Sequence, residues 1–550
     1  MEYLIYRKKI LSQYIDLQLT IEAVQNETIT LQLPAWRPGR YELANYAQKI
    51  RFLKVIGTFG ESVKLNKVSK DRWHFTAEKE GNYSIHYQYH ASQMDAGGSW
   101  SDDEQLYINF INLTFQVWGR EEEEITLHLD LPKDYIIATA LPSPQLHVLQ
   151  ADGFQHLVDS PLIASPTLKH HQYQVSDHTF HLWFQGEIHF DIEQLLLHFT
   201  NFTTSQIAAF GNFPASDYHF LFHLLPYAHY HGVEHQFSTV ITLGPAEDLS
   251  SKAFMDRLMG VSSHELYHFW NVCRIRPKEL LPYDFSKEAY IDSGIVAEGV
   301  TTYMGDHFLW KSGYYSNRDY LDVLEKLINR EFEQFGWKNQ SIAESSWDLW
   351  LDGYKPGIPD RKVSIYNRGA LLSLCLHLML LRSGSSLSQV MKMMWEDFGQ
   401  RGRGYGLKDF QSLMAKGLKD NVAVEKFFTQ FVYGTEHLLP ILQDYLETVG
   451  IAIDEVRQDD LATDYGLILD GDAKVKSVHP ESPAYHQIMI GDVIHNQEVQ
   501  KSLEGDLLNL LIKRYGRDLR VTLAGTADAY YKRYQLSIHT ANMLSQWKNH

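Results

Sequence analysis

His264-Glu265-Leu266-Tyr267-His268 falls inside a stretch, Lys252 to about Val272, that reads as helix behind the capping serines Ser250 and Ser251. Residues four apart on a helix stand one turn above the other on the same face. Two imidazoles placed this way can share one Zn²⁺ at about 2.0–2.1 Å, and a Glu directly after the first can reach a water at the metal. The chain holds 27 histidines in 550 residues, so chance has to be weighed. At such frequencies about 0.08 accidental matches to the pattern are expected. The plain alternative is a helix carrying two surface histidines.

Working outward, a catalytic zinc needs a third protein ligand and an open position for water. Glu298, in Ala297-Glu298-Gly299-Val300, lies in a second helical stretch from Ser293 to Trp310, far enough on for a loop and a returning helix. Taken alone, Glu298 reads more simply as a solvated carboxylate. Leu321 to Phe335, Arg368 to Leu381, Leu387 to Phe398 and Val424 to Tyr433 also carry helical spacing. Gly402-Arg403-Gly404-Tyr405-Gly406 reads as a loop and not a phosphate cradle, because no Gly-Lys-Ser/Thr follows.

Before this helical region the pattern is strand-like. Ile15, Leu17, Leu19 and Ile21 alternate with polar residues, as do Ile29, Leu31 and Leu33, and Ile125 to Leu131. Arg37-Pro38-Gly39-Arg40 and Ala96-Gly97-Gly98 punctuate these runs as turns. An all-β, antiparallel module over 1–165 is expected. Beyond about Val449 short strands return at 465–468, 474–478 and 491–494, with a helix expected over Leu503 to Tyr515.

Lys plus Arg total 50 against 68 Asp plus Glu, a formal net charge of −18. That balance argues against nucleic acid, which calls for basic faces. Cys273 and Cys375 are the only cysteines, so no disulfide framework exists. The longest apolar run, Ala370 to Leu381, is too short for a bilayer span, so no membrane partner is expected. With no leader pattern after Met1, the cytoplasm is the default reading, although a trimmed leader would give the same sequence.

Longer stretches carry a resemblance. His264 through Pro277, His-Glu-Leu-Tyr-His-Phe-Trp-Asn-Val-Cys-Arg-Ile-Arg-Pro, resembles the zinc-helix signature of the glycyl aminopeptidase family, gluzincin metallopeptidases with a C-terminal PDZ domain. Leu33 to Tyr41 is similar to the family's N-terminal Trp-x-Pro-Gly turn, Asp159-Ser160-Pro161 to its next junction, and Phe427-Phe428 with Tyr433 to Glu436 to its late helical signature. The resemblance implies a multidomain α+β protein. Its parts would be an N-terminal β domain (1–165), a thermolysin-like catalytic domain (166–330), an α-helical part (331–450) and a PDZ domain (451–545).

The resemblance also implies roles. His264, His268 and Glu298 would hold one Zn²⁺ per chain, and Glu265 would serve as general base. Tyr366, in Tyr366-Asn367-Arg368-Gly369, matches the Tyr-x-Lys-Gly motif of the aminopeptidase N and leukotriene A4 hydrolase group, where the tyrosine donates to the oxyanion. His231-Gly232-Val233-Glu234-His235 resembles the exopeptidase stretch. Glu234 would bind the free α-amine of a peptide substrate and Gly232 would admit its backbone. His231 replaces a family glycine, His377 stands where an Asp is common, and Gly294 to Ala297 lack the usual Leu-Trp. Arg274 and Arg276 match the family, either binding a carboxylate or bracing the helix. Tyr465-Gly466-Leu467-Ile468 looks like a PDZ carboxylate loop that could accept a peptide C-terminus, or the unit only packs against its neighbour. The implied activity is removal of small N-terminal residues, Gly or Ala. The alternatives are a PDZ-guided endopeptidase and an inactive peptide-binding relative.

Overall fold

The computed structural model describes residues 1–248, 250–501, 506–525, 529–540 and 543–550. Near the N-terminus, Tyr14–Ala23 buries Ile15, Leu17, Leu19 and Ile21 on one face, as their alternation requires. It lies in a seven-stranded sheet between Glu2–Tyr6 and Gly81–His90. The sheet is not purely antiparallel, because Glu2–Tyr6 pairs in parallel with Ile125–Leu129. These two strands lie far apart in the chain, and the residues between them supply four further strands of the same sheet. Two four-stranded sheets complete this β region, which has its own hydrophobic core.

The middle of the chain forms a five-stranded sheet in the order Lys169–Val175, His178–Gln185, Asp217–Leu224, Ser238–Gly244, His229–Glu234. The helix Ile192–Phe210, capped by the Asp191 carboxylate, links two parallel strands of this sheet. His229–Glu234 is an edge strand, antiparallel to its single neighbour. Lys252–Tyr267 then forms the histidine-bearing helix, with Ser251 Oγ accepting from Phe254 N at 3.1 Å. It stops about five residues before the expected Val272, a residue that turns back at φ +88°.

The second helical stretch begins as a π-turn, Ile295–Val300, and continues as an α-helix, Thr301–Lys311. The remaining expected helices form as Asn317–Phe332, Asn367–Leu381, Leu387–Asp397 and Asn421–Phe427, the last running into a π-turn, Phe428–Val432. Leu407–Leu418 is a further amphipathic helix. One large core joins the five-stranded sheet to all these helices.

The last region differs from expectation. Leu507–Arg514 is a strand, not a helix, paired with Val493–Gln500 on one side and Arg517–Ala524 on the other; the start of the expected helix, at Leu503, lies outside the described residues. Leu508, Leu510 and Ile512 are buried while Asn509, Leu511 and Lys513 face outward, so two-residue alternation prevails over helical spacing once both edges are paired. A small core forms here around Tyr465, Leu467, Leu508 and Leu523. The hairpin-like pair Ile451–Val456 and Arg533–Ile538 instead packs into the main core through Ile451 and Leu536. Leu544–Asn549 is a short helix whose buried Trp547 donates to Tyr303 Oη at 3.0 Å. Among the described residues, no helix is long and apolar enough to cross a membrane. Cys273 and Cys375 are both buried and free.

Candidate metal centre

The two helical segments cross closely because glycines let them. A Cβ at Gly299 would stand 2.5 Å from Cα of Gly369 on the helix Asn367–Leu381, and between the two ligand-bearing segments a Cβ at Gly305 would stand 3.1 Å from the His264 backbone. That contact brings three ligand atoms together. His264 Nε2 and His268 Nε2 are 3.0 Å apart, and Glu298 Oε2 lies 3.6 Å from the first and 3.4 Å from the second. A tetrahedron with bonds of about 2.0–2.1 Å has edges of about 3.3–3.4 Å, so this triangle fits one face of a zinc-sized site. Glu298 is 3% exposed, and its Oε2 has no hydrogen-bond donor. A buried carboxylate oxygen without a hydrogen-bond donor, facing two imidazole nitrogens, is suited to a cation.

Neighbouring groups orient these ligands. His268 Nδ1 lies 2.8 Å from Asn271 O, which fixes the ring with Nε2 toward Glu298. The Asn271 side chain donates to Val296 O at 2.7 Å and to Thr301 Oγ1 at 2.9 Å. One asparagine therefore ties the end of the histidine helix to the segment bearing Glu298. Burial opposes charge on His268, but Glu298, Glu234 and Glu265 outweigh it and raise its pKa to about 10. Burial likewise opposes charge on Glu298, and His268 and His264 outweigh it, holding the carboxylate at about 2.

Glu265 is buried beside this triangle, and its Oε2 has no donor. Burial raises its pKa well above the ordinary carboxylate value; His268 opposes that, while Glu234 and Glu298 add to it. Gly232 sits directly against it. A Cβ at position 232 would collide with Glu265 Oε1 and stand 2.7 Å from Val261 Cγ2. Tyr366, at the start of Asn367–Leu381, lines the same cleft as His264 and Glu265, a space of about 410 Å³. Burial, then Glu298 and Tyr354, push its hydroxyl well above the usual phenol value, so it stays protonated and can donate.

Glu234 is 7% exposed. Its carboxylate lies within 4.8 Å of ligand atoms of Glu265 and His268. It faces a cavity of about 10 Å³, room for a single water, lined also by Arg37, Pro38, Asp159 and Tyr283. The turn Arg37-Pro38-Gly39 from the β region covers it, and Gly39 takes φ +73° there. A Cβ on Gly39 would collide with the Glu234 carboxylate. Trp36 anchors the turn, with Nε1 donating to Asp284 O at 2.8 Å and the ring meeting Tyr283, Phe285 and Trp350. Asp159 accepts from Gln236 N at 3.1 Å and lies 3.0 Å from His235 Nδ1, which holds the end of the edge strand.

All seven expected site residues thus gather around one cleft and its covered corner. Gly39, Asn271 and Asp159 were missed as site residues. All three stand inside the family-like stretches 33–41, 159–161 and 264–277, and the Asn three residues past the second His is the one local signal among them. Arg274 Nη1 donates to Gln236 O and Phe269 O, and Arg276 Nη2 donates to Cys273 O, so both brace backbone rather than face the cleft. His377 is buried, with Nδ1 2.8 Å from Tyr303 Oη. His231 contacts Arg37 at 3.4 Å.

Residues 2–166 match the model of the Peptidase M61 N-terminal domain, and residues 257–372 match that of the M61 glycyl aminopeptidase. The chain belongs to the M61 glycyl aminopeptidase family. It is therefore a metallopeptidase. A crystal structure described as an aminopeptidase N family protein from Idiomarina loihiensis is similar over 99% of both chains, with 25% identity and a TM-score of 0.90. An M1 zinc metallopeptidase from Deinococcus radiodurans shares the fold over 79% of this M61 chain and 94% of its own, with 14% identity and a TM-score of 0.50. No curated protein matches the sequence significantly.

Proposed function

We propose that this M61 protein is a zinc aminopeptidase that removes small N-terminal residues, Gly and Ala, from peptides. What carries the reading is the covered corner at Glu234. A buried carboxylate beside the metal ligands offers a charge-assisted contact to an α-amine, while the Pro38-Gly39 turn leaves little room for a chain or side chain beyond it.

His264, His268 and Glu298 would hold one Zn²⁺ per chain. When bound, the ion supplies Lewis acidity, lowering the pKa of a water toward about 7 and polarising the scissile carbonyl. Glu265 takes the proton of the attacking water and passes it to the leaving amine, a role usually contributing about 10²–10⁴-fold. Tyr366 donates to the carbonyl oxygen as it gains charge, a contact often contributing about 2.7–4 kcal/mol. Gly232 lets the substrate backbone lie close over Glu265, and Glu234 sets the amine so that only the first peptide bond reaches the nucleophile.

The division into 1–165, 166–330, 331–450 and 451–545 accompanies this reading. For the last unit we propose a PDZ-like packing module. Packing is favoured over capture of a peptide C-terminus, because the segment expected to be the unit's helix is strand over 507–514. Two free thiols suit a reducing compartment, and the cytoplasm is the site we propose.

The test compares glycyl- and alanyl-arylamides with their N-acetylated forms. Hydrolysis of the free-amine substrates, abolished by a chelator, is expected. Cleavage of only the blocked substrates would indicate an endopeptidase. No metal and no turnover would indicate a peptide-binding relative.

A further inference from the structure

Asp306 is a carboxylate that the mechanism does not use. It lies on Thr301–Lys311, two turns after Glu298, and lines the same cleft as His264 and Glu265. Among the described residues it makes no hydrogen bond and no ion pair within 4.0 Å. Lys326 acts on it only from beyond that distance; burial, opposed by Lys326, lifts its pKa to about 7. One turn before it on the same helix face, Thr302 Oγ1 is also buried without a partner, and Thr302 lines the cleft as well. A partly buried carboxylate and a hydroxyl, both unpaired and both facing one cleft, need an outside partner.

The edge strand gives the position of that partner along a substrate. Tyr230, Gly232 and Glu234 are alternate residues of His229–Glu234 and so share one face. Glu234 is the amine corner and Gly232 covers Glu265. Tyr230 lies at the next step, within electrostatic reach of Asp306. A peptide lying antiparallel to this strand, amine at Glu234, passes Gly232 at its first peptide bond and then reaches Tyr230. Opposite that point the histidine helix presents Gly260, one turn before His264. Gly260 has no side chain to fill the space, and a Cβ there would stand 4.0 Å from Asp306 Oδ1 and 3.8 Å from Tyr315 Oη.

We propose that Gly260, Tyr230, Thr302 and Asp306 form the pocket for the second residue of the substrate. The pocket takes a cationic side chain, Lys or Arg, whose charge Asp306 pairs. This rests on the aminopeptidase reading, since Glu234 sets the register. Asp306 is here a specificity residue and acts on the leaving side of the scissile bond.

The experiment measures kcat/KM for glycyl-lysine amide, glycyl-leucine amide and glycyl-glutamate amide with the zinc-loaded full chain. The expected result is a preference for lysine over leucine of about tenfold or more, with glutamate slowest. Asp306→Asn is expected to collapse the lysine-to-leucine ratio toward one, and Gly260→Leu to depress all three amides relative to glycine arylamide. A flat ratio in the native chain, alongside brisk glycyl-arylamide hydrolysis, overturns this inference and leaves the aminopeptidase reading standing. An unchanged ratio in a folded, metal-loaded Asp306→Asn protein overturns it as well. Failure to cleave any glycyl substrate overturns both.

Discussion

The metal corner and the amine corner share a wall but are assembled differently. His264, His268 and Glu298 come from two helical segments near each other in the chain, joined by the Asn271 side chain. Glu234 sits at the end of an edge strand, and its surroundings are finished by Asp159 and by the Pro38-Gly39 turn of the distant β region. Helix spacing pairs His264 with His268, and the packing of the next helical segment in the chain adds Glu298. The second exists only when the β region is docked through Trp36. Ion binding and selection of a free amine should therefore be separable by mutation.

The largest effect is expected at the metal corner itself. His268→Ala removes one ligand and leaves Glu298 buried without its main counter-charge. Metal analysis should find the purified protein depleted of zinc, with arylamide hydrolysis at background. Full metal content in that variant would break the proposed ligand set. Glu265→Gln should retain zinc while kcat falls by about 10²–10⁴-fold, as expected for loss of a general base. Near-native turnover there would remove Glu265 from the mechanism.

The amine corner should break without loss of metal. Gly39→Ala places a methyl group against Glu234 and strains a left-handed backbone, a conformation costing about 1–3 kcal/mol for non-glycine residues. Zinc content should be unchanged, while kcat/KM for glycyl-arylamide drops by about 10–100-fold, comparable to losing a charged hydrogen bond of about 1.5–3 kcal/mol. If zinc were lost instead, the two corners would be one unit. The smallest effect is expected at the brace between the two metal-bearing segments. Asn271→Ala should weaken zinc about tenfold, measured by competition with a chelator, because outer hydrogen bonds set ligand orientation.

What could be read from the sequence follows the same division. The pairing of His264 with His268 needs only four-residue spacing, and Ile15 to Ile21 needs only two-residue alternation; both survive in the fold. Gly39 reads as a plain turn glycine, since nothing local indicates that Glu234 lies against it. Val272 could not be identified as the break after the histidine helix, because β-branched residues rarely turn at φ +88°. Leu507–Arg514 satisfies both helical and strand spacing, and its two strand partners decide the outcome. The parallel pairing of Glu2–Tyr6 with Ile125–Leu129 is likewise set by neighbours remote in sequence.

Stepwise return of zinc to chelator-stripped protein, followed by glycyl-arylamide hydrolysis with the N-acetylated substrate alongside, addresses the account most directly. Activity toward the free-amine substrate should be absent at the start and rise linearly to a break at one zinc per chain, with the blocked substrate inert throughout. Full hydrolysis by the stripped protein, or equal turnover of the blocked substrate, would contradict it.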